Sequence, residues 1–149
     1  MKKIGEYTCR GFVDNATTEI VKLFDGKFDT AYKITKFEAV IYDPDNSGVD
    51  GFCTLATAPL DPSVTTDTQW RFADRKQIGW SSMTAVGAHT GPNSAQFNLV
   101  DRENMVVEDL YIYAEMNAAG GGMNYYIEMD KYDITDWEGA LTMARNKVN

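Results

Sequence analysis

One stretch of this chain has the residue types and spacing of a chemical motif: Tyr42 to Phe52, YDPDNSGVDGF. Counted from Asp43, an aspartate stands at position 1, Asp45 at 3, Ser47 at 5, Gly48 at 6 and the Val49 carbonyl at 7. This is the first half of a loop that wraps oxygen ligands around a hard cation, with a glycine for the sharp bend. Position 12 is Thr54, so the bidentate carboxylate that closes such a loop is missing. The flanks read as strand, where an EF-hand needs helices. Two readings stay open. One is a looser calcium loop at a sheet edge, with Asp43, Asp45 and Asp50 as carboxylate ligands. The other is a bare turn, because Asp, Asn, Ser and Gly cap their own backbone without an ion. The turn is the default, and no other cofactor is implied.

Catalytic constellations are scarce. The single histidine, His89, lies in loop-like GAHTGPN, and a nucleophile for it would have to be Cys53 or Ser81. Neither sits in anything resembling a nucleophile elbow. Cys9 and Cys53 lie in strand-like flanks and read as two buried thiols. With His89 they give no ligand pair of short spacing, hence no metal motif. The glycines at 120–122 are followed by no Lys-Ser/Thr, so they are not a phosphate loop. The expectation is a protein that is not an enzyme.

The elements that must position these residues are mostly strands. In KFDTAYKITKFEAVIYD, Phe28, Thr30, Tyr32 and Ile34 alternate on one parity, then Phe37, Ala39 and Ile41 on the other. The switch near Thr35-Lys36 means a bulge or a break. GFCTLATA is a further strand. PLDPSVTTDTQ is a loop with two prolines, and QIGWSSMTAV reads as a strand interrupted at Gly79. MVVEDLYIYAEM and MNYYIEMDKYDI form a hairpin about the glycine run. Its apolar face holds Leu110, Ile112, Ala114, Tyr125, Ile127 and Met129. Its other face carries Tyr111, Tyr113 and Tyr126. Thr135-Asp136-Trp137-Glu138 is a capping box that opens a helix over about 135–147. Gly139 weakens that helix, which must pack through Trp137 and Leu141. Eight or so short strands, turn signals between them and one terminal helix predict a single mainly β domain. It is an antiparallel β-sandwich or jelly roll with a short C-terminal α-helix.

Net charge is -8. Such a surface repels phosphate backbones, which argues against nucleic acid. No window is apolar and long enough for a membrane span, and no secretory leader opens the chain, so synthesis in the cytoplasm is expected. Eight Tyr, seven Phe and three Trp are a generous aromatic supply. Tyr111, Tyr113, Tyr126 and Trp137 are the candidate contact residues, for subunit packing or for stacking on sugars.

The run LYIYAEMNAAGGGMNYYIEMDKYDITDWEGALTMARNKV, with the alternating strand KFEAVIYD, resembles the jelly-roll or β-sandwich structural and decoration proteins of phages. The resemblance is one of style over about half the chain. It implies a non-enzymatic virion structural protein, a capsid or capsid-decoration subunit, forming a homo-oligomer or docking on a capsid lattice. Loops 59–69 and 87–95 would reach neighbouring copies. The alternative is a carbohydrate-binding β-sandwich with a structural calcium.

Overall fold

The computed structural model describes residues 1–43, 48–85, 94–117, 121–134 and 136–146. Among these described residues there are eight strands: β1 (Lys2–Asp14), β2 (Thr17–Val21), β3 (Thr30–Ile41), β4 (Asp50–Ala56), β5 (Gln77–Ala85), β6 (Ser94–Val100), β7 (Leu110–Met116) and β8 (Gly122–Asp133). They make a three-stranded sheet, β1-β8-β3, and a five-stranded sheet, β2-β7-β4-β5-β6. A one-turn helix, α1 (Thr65–Thr68), and a terminal helix, α2 (Asp136–Asn146), complete the order. Every pairing is antiparallel.

The pairing is nested. The first strand bonds the eighth, the second the seventh and the fourth the fifth. This is the jelly-roll connectivity, with one departure. Nesting would pair β3 with β6, but β6 stays hydrogen-bonded to β5. Side chains seal much of the β3 edge instead. Asn104 accepts from the Ile34 amide and donates to the Ile34 carbonyl, at 2.7 and 2.8 Å. Ser81 Oγ accepts from the Ala39 amide, while Gln96 Nε2 donates to the Ala39 carbonyl. Backbone groups of a buried edge must find partners, and here side chains supply them.

Between the sheets lies the core. Ile34, Phe37, Ala39 and Ile41 of β3 and Met123, Ile127 and Met129 of β8 face Cys53 and Leu55 of β4 and Leu110, Ile112 and Ala114 of β7. The parity switch read in β3 is a bulge, with the register shifting between Ile34 and Lys36. It keeps Ile34 and Phe37 on the same inward face although they are three apart. QIGWSSMTA runs as one strand straight through Gly79. The space a Cβ would need there is taken by Leu55 and Phe37, so the glycine serves packing rather than interruption.

Two further sequence expectations fail. β7 and β8 are not a hairpin; they stand in opposite sheets. Their apolar faces meet across the core, and each strand gains partners on both edges this way, which a two-stranded hairpin denies them. Leu141 does not dock α2, because it is about half exposed (51%). The helix docks through Gly139, where a Cβ would collide with the carbonyl of Phe28. Near its end Asn146 Nδ2 donates to the Met105 carbonyl at 2.6 Å, and the Asn146 carbonyl accepts from Thr57 Oγ1. Thr135 of the capping box and the side chain of Trp137 lie outside the described residues.

Candidate interaction surface

The outer face of the five-stranded sheet is where chemistry-bearing side chains converge. Register dictates their order. Phe97 of β6, Ser82 of β5, Phe52 of β4 and Glu115 of β7 form one row across four strands. A second row holds Thr84 and Asp50, register partners, with Asn117 bonded beside them. A third runs Leu99, Trp80, Thr54 and Tyr113. All point away from the core, because side chains alternate across a strand.

Part of this face is roofed by residues 57–76. Leu60 is buried against Ala56 and Tyr113, and the Leu60 carbonyl accepts from Thr18 Oγ1 at 2.8 Å. Lys76 Nζ lies 3.8 Å from Asp67 and 4.0 Å from Asp74. The central fastening is Gln77. Its Oε1 accepts from the Arg71 amide at 2.8 Å and from Trp80 Nε1 at 2.9 Å, and its Nε2 donates to the Gln69 carbonyl at 2.8 Å. Residues 69 and 71 are thus clamped, and Trp70 between them is held in place. Its ring lies 5.7 Å from those of Phe52 and Phe97.

An open groove of about 680 Å³ remains between this roof and the sheet, lined by Phe52, Trp70, Gln69, Thr68, Ser82, Thr84, Asp50, Glu115 and Asn117 among others. The far wall is also fastened. Asn117 Oδ1 accepts from the Asp50 amide, the Asn117 amide donates to the Asp50 carbonyl, and Asn117 Nδ2 donates to the Gly48 carbonyl. Glu115 accepts from the Tyr113 hydroxyl at 3.3 Å. Burial, then the Glu115 charge, pushes the Tyr113 phenol up to about 12. Beyond Trp70 the face is apolar and uncovered. Phe97 (45% exposed) and Leu99 (42%) lie two apart along β6, and Phe72 (63%), at the end of the roof, stacks edge-on against Trp80 at 4.6 Å and shares a hollow with Leu99, which makes an apolar strip beside β6.

The residues singled out from sequence are scattered. Tyr113 is buried beneath Leu60 and is not a contact surface. Tyr111 is half-buried on the same outer face, opposite Ile20 of β2. Tyr126 is on the outer face of the other sheet, with Lys36 Nζ 5.7 Å from its ring centroid. Tyr126 stands on the other sheet from Tyr111 and Tyr113, and Tyr113 is covered, so the three form no common surface. Loop 59–69 is part of the roof over the sheet, and residues 61–66 are exposed on it. Most of loop 87–95 and His89 lie outside the described residues.

Asp43 and Asp50 are exposed, Asp45 is outside the described residues, and Gly48 takes a positive φ of 74°. Among the described residues no three Asp, Glu, His or Cys side chains gather as a metal group. The Gly48 amide donates to the Ala85 carbonyl and the Ala85 amide to the Val49 carbonyl, so the end of the motif extends the sheet. Cys53 is buried at the core and its thiol is pushed up to about 12 by that burial, which disfavours a thiolate. Ser81 Oγ is spent on Ala39 and on Asn98, at 2.6 Å from the latter. Both cysteines are free. Among the described residues no helix is long and apolar enough to cross a membrane.

Sequence reasoning missed Trp70 and Gln77. The signal was in β4, where Phe52, Thr54 and Ala56 are as uncharged as Cys53 and Leu55 between them. A strand without a polar parity is covered on both faces, so something had to lie over it. No protein-family model matches the chain, and no curated protein matches it.

Proposed function

We propose that this chain is a non-enzymatic virion structural protein, a capsid or capsid-decoration subunit that acts by associating with copies of itself or with a capsid lattice. The observation that carries the reading is the apolar strip of Phe72, Phe97 and Leu99 beside β6, an edge strand of its sheet. Large apolar side chains in a row beside a strand edge invite another chain, by side-chain burial and by ladder extension. Scattered single apolar residues would carry no such meaning. The jelly roll supports the reading without establishing it, since this architecture also serves lectin domains. Net charge of -8 would restrict non-specific adhesion elsewhere on the surface.

Light scattering over a concentration series tests it, alongside co-sedimentation with virus particles. The expected result is a defined oligomer, or particle binding, that Leu99→Asp and Phe72→Asp abolish while the circular dichroism spectrum is unchanged. A protein that stays monomeric and binds no particle, or an oligomer indifferent to both substitutions, overturns the proposal.

A further inference from the structure

The groove beside the strip has a different composition, and composition decides what it can hold. Its volume, about 680 Å³, lies within the roughly 300–1,000 Å³ of small-ligand sites. An aromatic wall, Trp70 backed by Phe52, stands against hydroxyls from Ser82 and Thr84 and carboxylates from Asp50 and Glu115. Among the described residues no Lys, Arg or His lines it.

We propose that this groove binds a neutral saccharide. A pyranose presents an apolar face of C–H groups, which stacks on an aromatic ring, and a rim of hydroxyls that both donate and accept. The groove offers the complement to each. Trp70 is the platform. Each carboxylate can accept from two neighbouring hydroxyls, and charged acceptors make the stronger hydrogen bonds. Ser82 and Thr84 can donate in return. Anionic sugars are disfavoured, because the carboxylates of Asp50 and Glu115 repel a third. A hard cation could use the carboxylates and the hydroxyl oxygens alike, but it would leave the aromatic wall of Trp70 and Phe52 without an apolar partner.

Both walls are fastened before any ligand arrives, Trp70 through Gln77 and Asp50 through Asn117. A preformed site loses little conformational freedom on binding, which is how shallow contacts become specific. The groove also differs from the β6 strip in what it would bind, so failure of one function leaves the other standing.

Calorimetric titration and amide chemical-shift mapping with neutral oligosaccharides test this. The probes are cello-, laminari-, malto- and N-acetylchito-hexaose, with sialyllactose and tetralysine as charged probes. The expected result is binding of at least one neutral hexaose, shifts at Phe52, Ser82 and Glu115, and none with sialyllactose. Glu115→Gln and Trp70→Ala should each weaken binding by about tenfold or more. Trp70→Phe keeps a ring and should retain most of it, which guards against a folding defect in Trp70→Ala. Tyr126→Ala, on the opposite sheet, should leave binding unchanged. No response to any neutral hexaose at about 10 mM, binding of tetralysine alone, or neutral binding that survives Trp70→Ala overturns the proposal. Repeating the titration on Leu99→Asp separates it from assembly: sugar binding should persist when association is lost.

Discussion

Gln77 holds more of the outer surface together than any large side chain there. It is buried and bonds three partners: the flanks of Trp70 and the indole of Trp80. Gln77→Ala orphans two donors and one acceptor, and leaving buried polar groups unpaired costs about 1–3 kcal/mol each at most sites. The expected outcome is a fall in midpoint denaturant concentration together with faster proteolysis within 57–76. Loss of stability without faster cleavage of the roof would show that Gln77 does not hold it. Asp109 is a second fastening residue. Burial opposes its charge, but the amides of Phe24 and Leu23, at 3.0 and 2.9 Å, and Lys22 outweigh that and lower its pKa. A carboxylate lowered in the folded state stabilises above its unfolded pKa, about 3.9 for aspartate, and loses that contribution as pH falls through the folded value. Asp109→Asn should therefore melt below the parent protein at pH 7. The difference should shrink below about pH 4; a gap that is constant with pH would refute the charge argument.

At the scale of elements, α2 reverses an inference from propensity. Gly139→Ala improves an isolated helix by about 1 kcal/mol, yet here the methyl group would meet the Phe28 carbonyl. The substitution should destabilise the protein and raise hydrogen exchange across 136–146; a stabilised variant would mean the helix can shift at little cost. The same contrast explains what was legible beforehand. Alternation revealed the strands and even the bulge at Thr35-Lys36, because parity is a local property of the chain. The partnership of β7 with β8 was misread, because parity says which way side chains point and nothing about which strand lies alongside. The roof escaped because Leu60, Trp70 and Phe72 follow no period. They are positioned by Gln77, Thr18 and Lys76, which are distant in sequence or unremarkable in type. The groove inherits that illegibility, as its floor comes from three strands and its wall from a loop.

The whole molecule is built from contacts between the far ends of the chain: Lys2 is the register partner of Asp133 and Asp14 of Gly122. Such non-local pairing must close long loops before it gains anything, so folding in the millisecond-to-second range is expected. Stopped-flow refolding measures this directly, and completion within microseconds would contradict the topology. The nested order has a further consequence for birth on the ribosome. The central strand of the three-stranded sheet is the last to be synthesised. Roughly 80 residues separate the end of β3 at Ile41 from the start of β8 at Gly122, which at about 5–20 residues per second is about 4–16 s of translation. For that interval β1 and β3 have no centre strand, and Phe37, Ile34 and Val13 lack the β8 side of their core. Transiently exposed apolar surface of this kind is what makes incompletely folded chains prone to aggregate.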